Sequence, residues 1–216
     1  MTNPTILLDL DGTIADSRPG IIASLRAALR DLRHSPAPDE DFTWAVGPPL
    51  PEVWRRLMTQ YGDDRVDFGM ARYREHYGLT GLYDATLFPG IADAIETLYV
   101  AGHDLIVATA KRVDFARRLV ENLGLASRFL GVYGSIPDGT LDDKADLIAD
   151  IMRRESLTAK AMVMVGDRSH DILAAHANGV KAIGVAWGYG APGELKAAGA
   201  DAIIAAPREL VDMYIQ

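Results

Sequence analysis

Two segments concentrate carboxylates at positions that invite a chemical reading. In DLDGT, Asp9 lies at the end of the apolar run at 5–10 and Asp11 just past it; in VGDRSHD, Asp167 and Asp171 follow the apolar run AMVMV. A spacing of two keeps Asp9 and Asp11 on one side of an extended chain. Carboxylates held that close repel unless a cation or a shared proton relieves them. Four acids at strand ends suit a hard cation such as Mg2+, which takes oxygen ligands from carboxylates, water and phosphate. Two further residues fit a phosphate beside that cation. Thr109 closes the run DLIVATA, and Lys144 opens a helix in DDKADLI, where its charge opposes the helix dipole. Plainer roles stand beside these: Asp9 and Asp11 as turn or cap residues, Asp171 as a helix N-terminal charge, and Lys144 as a surface lysine paired with Asp142 or Asp143.

The elements that must hold these residues read as an α/β core. Apolar runs at 5–10, 104–110, 131–135, 161–167 and 181–187 lack polar alternation, as strands covered on both faces do, and 201–205 adds a weaker edge. Helical segments at 91–101, 112–123, 143–155 and 171–178 alternate with them, and Gly102, Gly124 and Gly179 stand at the expected helix ends. This alternation predicts stacked βαβ units: a Rossmann-like parallel sheet with helices on both faces. Between the first and second strands the pattern changes. Segments 21–32, 51–62 and 66–78 are helical, and the intervening length is too great for a crossover loop. The expected division is a core of residues 1–16 and 85–216 with a small helical cap at 17–84.

Within that cap, Trp44, Trp54, Tyr73, Tyr77 and Tyr83 read as core aromatics. Arg72 and Arg74 read as helix coating, with reach toward a substrate anion as the other option. GPPLP at 47–51 reads as a turn at the seam between cap and core, and the glycine-rich GVAWGYGAPGEL as a shaped loop near the site. Ser17 reads as a turn or cap residue, Thr13 as bonding back to the backbone, and His103 as a loop residue. His170 has no second histidine at ligand spacing.

Composition bounds the function. The chain has 216 residues, 22 basic against 30 acidic side chains for a net charge of −8, and no cysteine. Disulfides, thiolate nucleophiles and cysteine-based metal sites are excluded. The acidic balance without a basic run argues against nucleic acid and anionic membranes as partners. No leader or spanning segment is read at the N-terminus, and a cytoplasmic location is expected. Glycine-rich nucleotide loops of the Gly-x-Gly-x-x-Gly or Gly-x-x-x-x-Gly-Lys-Ser/Thr type are missing at the first strand.

Taken in order, DLDGTIADS, Thr109, Lys144 and GDRSHD resemble the four motifs of the haloacid dehalogenase superfamily in its phosphatase branch. The inserted helical segment, with VGPPL, LYDATLFPGI, VATAK and GVAWGYG, resembles phosphoglycolate phosphatases and bacterial 5′-nucleotidase-like proteins. The chain departs at Ala145 and Arg112, where many relatives have proline. The resemblance implies Mg2+-dependent hydrolysis of a small phosphorylated metabolite through an aspartyl-phosphate. Asp9 would be the nucleophile and Asp11 the acid and base; Thr109 and Lys144 would hold the phosphoryl group. Asp9, Asp11 (through its carbonyl) and Asp167 would bind the metal, with Asp171 orienting a metal-bound water or Lys144. A phosphosugar mutase and a non-catalytic phosphate-binding protein are the alternatives. A monomer or small homo-oligomer is expected, and the choice among phosphoglycolate, nucleotide and sugar phosphate stays open.

Overall fold

Strands buried at successive positions, their side chains alternating between two covered faces, build the sheet. In the computed structural model, which describes residues 3–136 and 139–215, β1 (Thr5–Leu8) lies at the centre with β4 (Leu105–Arg112) and β6 (Met162–Gly166) on either side. The order is β5-β4-β1-β6-β7-β8, all parallel, with β5 (Gly131–Ser135), β7 (Lys181–Val185) and β8 (Ala202–Ile204) completing the sheet. Ile6, Leu8, Leu105, Val107, Val163 and Val165 face one layer, which contains α4 (Ile91–Val100), α5 (Val113–Asn122) and α9 (Pro207–Tyr214). Leu7, Ile106, Ala108, Met162 and Met164 face the other, formed by α6 (Lys144–Arg154), α7 (Ser169–Ala177) and α8 (Glu194–Ala197). The expected α/β class is the observed one, and the weak run at 201–205 is the sheet edge. Gly102, Gly124 and Gly179 do stop helices, each at a positive φ that favours glycine.

Two features depart from the sequence reading. The strand expected to close at Thr109 continues to Arg112, but its register breaks: Thr109 pairs with Gly134 and Arg112 with the next residue, Ser135. Ala110 and Lys111 are therefore bulged out of the ladder, which re-aims their side chains. The second feature is a two-residue antiparallel ribbon, β2 (Ala15–Asp16) with β3 (Thr86–Leu87), too short to leave a periodic signal. It ties together the two ends of the helical insertion.

The insertion holds α1 (Arg18–Asp31), α2 (Leu50–Tyr61) and α3 (Val66–Leu79). Trp54, Tyr73 and Tyr77 are buried in it as expected. Trp44 and Tyr83 are not core residues. Trp44 is only partly buried and carries Arg56 on its ring at 3.8 Å. Tyr83 is 52% exposed, and its hydroxyl accepts a hydrogen bond from Arg118 at 2.8 Å. Both rings are stabilised by an arginine instead of by enclosure. Among the described residues no helix is long and apolar enough to cross a membrane.

Candidate active site

The carboxyl ends of three adjacent strands converge on one pocket. Asp9 follows β1, Thr109 lies near the end of β4, and Asp167 follows β6. Lys144 is the first residue of α6 and Asp171 the third of α7. Asp9, Asp167 and Asp171 are all buried, and ligand atoms of the three lie within 4.8 Å of one another. Lys144 Nζ stands between two of them, donating to Asp9 Oδ1 at 2.7 Å and to Asp171 Oδ1. The surface-lysine alternative for Lys144 is thereby removed, since it is buried and turned inward. Asp171 does combine both of its readings: its other oxygen accepts the Arg168 N–H at 3.0 Å at the start of α7.

Electrostatics in this pocket are unbalanced. Burial raises Asp9 to about 6, with Asp171 and Asp11 adding to the rise and Lys144 opposing it. Burial and then the charges of Asp171 and Asp9 hold Asp167 well above the usual carboxylate range. Lys144 loses solvation too, but Asp171 and Asp9 more than compensate and its pKa is raised. Asp167 Oδ2 accepts the Tyr189 N–H at 2.7 Å, while Oδ1 is buried with no hydrogen-bond partner among the described residues. One lysine against three carboxylates leaves net negative charge in a dry pocket. An unpartnered carboxylate oxygen beside that surplus fits a hard divalent cation.

Asp11 belongs to a separate arm of the site. Its carboxylate is not one of the three clustered groups; it pairs with Lys111 Nζ at 2.8 Å and accepts a hydrogen bond from Ser17 Oγ. Lys111 also donates to the Tyr77 hydroxyl at 2.9 Å and sits 4.4 Å from the centroid of that ring. Burial disfavours the charge of Lys111, but Asp11 and the two tyrosines overcome it and raise its pKa. The sequence reading assigned no role to Lys111, which lies past the expected strand end and is turned toward Asp11 only by the bulge in β4. Ser17, read as a turn or cap residue, caps no helix with its side chain and serves Asp11 instead. Thr13 is a similar correction: its hydroxyl is buried without a partner among the described residues, and its carbonyl accepts the Trp187 indole N–H at 3.0 Å.

Close backbone approach shapes the walls. A Cβ on Gly188 would overlap the Asp167 side chain and the Gly12 carbonyl, and one on Gly12, at φ +94°, would overlap the Asp167 carboxylate. Arg168 reaches the insertion through the Val46 carbonyl at 2.6 Å and pairs with Glu194 at 3.0 Å. Burial alone would raise Glu194, but the Ser169 and Ala191 N–H groups and Arg168 bring it down to about 2. A cleft of about 310 Å³ opens over Asp9, Asp11 and Thr109, walled by 47–51 from the expected seam and by Met70, Tyr73, Tyr77 and Phe115. A second cleft of about 360 Å³ meets it at Asp9 and reaches Lys144 and Asp171. His170 is exposed and stands outside the carboxylate cluster.

Comparison with known proteins agrees with this geometry. Residues 6–185 match the profile of the haloacid dehalogenase-like hydrolases. A 5′-nucleotidase of Pseudomonas aeruginosa is 40% identical over 90% of this chain and 87% of its own length. The tyrosine-protein kinase PtkA of Mycobacterium tuberculosis is 36% identical over 86% of this chain and 62% of its own. Among solved structures, a predicted phosphatase from Clostridium acetobutylicum superposes with a TM-score of 0.89 at 32% identity, covering 99% of this chain and 98% of that one.

Proposed function

The chain belongs to the haloacid dehalogenase-like hydrolases, and from that premise we propose that it is a Mg2+-dependent phosphomonoester hydrolase working through an aspartyl-phosphate. The observation that carries this reading is the buried cluster of Asp9, Asp167 and Asp171 around Lys144 at the carboxyl ends of the central strands. Asp9 and Asp167 would hold the cation with the Asp11 carbonyl, and Asp171 would orient a bound water or Lys144. When bound, the cation neutralises phosphoryl oxygens and the surplus carboxylate charge.

The chain's own residues account for the remaining steps. An Asp9 oxygen attacks phosphorus as the bond to the leaving alcohol oxygen breaks, forming the acyl phosphate. Asp11 gives its proton to that leaving oxygen and later takes one from the water that opens the acyl phosphate. Lys111 and Ser17 fix the orientation of Asp11 for both transfers. Thr109 and Lys144 hold the remaining phosphoryl oxygens, where fixed donors act most strongly on developing charge. Residues 17–84 act as the cap that excludes bulk water over the leaving group.

Cleft size supports a substrate larger than a two-carbon phosphate. About 310 Å³ lies at the lower end of what pockets for drug-sized ligands offer. The apolar wall of Met70, Tyr73 and Phe115 suits a ring system, and the similar Pseudomonas protein is a 5′-nucleotidase. A 5′-nucleotidase-like activity is therefore the favoured form, with phosphoglycolate the smaller competitor. The test is phosphate release from nucleoside 5′-monophosphates, phosphoglycolate, sugar phosphates and para-nitrophenyl phosphate, each with Mg2+ and with excess EDTA. Metal-dependent release led by nucleotides is expected. No release from any of them by folded protein with Mg2+ would overturn the hydrolase reading.

A further inference from the structure

Arg74 is a cation in the cleft with no ion-pair partner among the described residues. It stands on α3 and lines the same 310 Å³ space as Asp9 and Asp11. Its Nε is buried with no hydrogen-bond partner, and among the described residues its guanidinium forms no ion pair. Neighbouring arginines are all engaged. Arg72 pairs with Asp31 at 2.6 Å and with Glu75, Arg112 holds Asp114 through two N–H groups, and Arg118 donates to the Gly78 carbonyl at 2.8 Å. A partly buried guanidinium left without acceptors is costly. Its position in a substrate cleft makes the substrate the natural source of the missing acceptor.

Local charge decides what kind of acceptor that is. Arg112 acts on Arg74 electrostatically as a like charge, and Asp142, Asp114 and Asp67 act as opposite charges. The charged groups lining the cleft are Arg74, Lys111 and Arg112 against Asp9, Asp11 and Asp142, three cations and three carboxylates, which leave no positive surplus to draw a second anion. What Arg74 lacks is lone pairs on a neutral group. A guanidinium offers N–H donors in a flat, rigid fork and accepts nothing. Tyr73, Met70 and Phe115 provide apolar surface in the same cleft, against which a planar heterocycle packs.

Building on the nucleotidase-like reading above, we infer that Arg74 selects the base of a nucleoside 5′-monophosphate by donating hydrogen bonds to a ring carbonyl oxygen. Oxo-bases complete its fork; an exocyclic amino group at the same place sets donor against donor. A site built around such a hydrogen bond rejects the analogue that cannot make it, because the buried donor is then left unpaired.

The experiment compares kcat/KM for matched pairs that differ by oxo for amino: inosine against adenosine 5′-monophosphate, and uridine against cytidine 5′-monophosphate. Wild-type, Arg74→Ala and Arg74→Lys proteins are measured with Mg2+, the lysine variant keeping the charge but losing the fork. The wild type is expected to favour the oxo member of each pair by about 5- to 150-fold, the discrimination a good arginine–base contact supplies. Arg74→Ala is expected to bring that ratio close to one, and Arg74→Lys, which still donates to a carbonyl oxygen but without the fork, to keep only part of it. A wild-type ratio near one, a ratio unchanged in both variants, or a preference for phosphoglycolate over every nucleotide would overturn the inference. Wild-type hydrolysis of para-nitrophenyl phosphate separates these failures from failure of the hydrolase reading. If that probe and all the nucleotides are untouched, the hydrolase reading falls and the inference falls with it.

Discussion

Lys144 carries an unusual share of the electrostatics, because it is the lysine that bridges Asp9 and Asp171 in a pocket also holding Asp167. Its side chain is only 7% exposed, so solvent does little to screen what it does. Removing one member of a buried charge cluster leaves the others uncompensated, at a typical cost of about 3–5 kcal/mol. Lys144→Met is therefore expected to destabilise the metal-free protein by that order in a denaturant titration. The same variant removes a donor to the phosphoryl group and should lower kcat by about 10²- to 10³-fold. An exposed or merely helix-capping lysine would show neither loss, so a variant with native stability and turnover would contradict the role.

The loop after β7 and the turn after β1 are packed against each other through glycine. At Gly188 there is no room for a Cβ between the Asp167 side chain, which the Tyr189 N–H holds, and the Gly12 carbonyl. Gly188→Ala should cost about 1–3 kcal/mol, as overpacking does, and should weaken metal binding by displacing Asp167. Unchanged thermal stability and Mg2+ affinity would show that the loop yields freely. These elements also mark how far the sequence could be read. Asp9, Thr109, Lys144, Asp167 and Asp171 sit at ends of apolar runs or starts of helices, so local pattern alone located them. Lys111 could not be placed that way, because it takes the bulge in β4 to turn it toward Asp11. Tyr77 and the Tyr189 N–H reach the site through contacts made only after distant segments meet, and Ser17 reaches Asp11 only once the turn between them has formed. The β2–β3 ribbon is two residues long on each side, below the length at which periodicity exists.

At the scale of the whole molecule, the carboxylate cluster links folding, protons and metal. Asp9 moves from an ordinary 3.8 to about 6 in the folded chain, and Asp167 also rises, so the folded state binds these protons more tightly than the unfolded one. The contribution of Asp9 to stability is complete below about pH 4 and is lost as pH rises through about 6, and that of Asp167 is lost as pH rises through its own raised pKa. A bound cation takes the proton's place, stabilising the fold in proportion to its occupancy. Mg2+ is accordingly expected to raise Tm clearly at pH 7 and much less at pH 5. A shift equal at both values, or larger at pH 5, would contradict metal binding by these carboxylates. The insertion joins the same network, since Tyr77 on α3 receives a hydrogen bond from Lys111, which in turn holds Asp11.

Asp9 as the phosphoryl acceptor is the claim on which everything else depends. The most direct measurement is acid quenching of the protein during turnover of its best substrate with Mg2+, followed by mass spectrometry of the intact chain and of its peptides. Run in parallel, Asp9→Asn gives the matching turnover number. One phosphoryl group is expected on the peptide carrying Asp9, absent from Asp9→Asn, whose phosphate release should fall to background. A phosphoryl group mapped to another residue, or an Asp9→Asn protein that turns over like the wild type, would contradict the account.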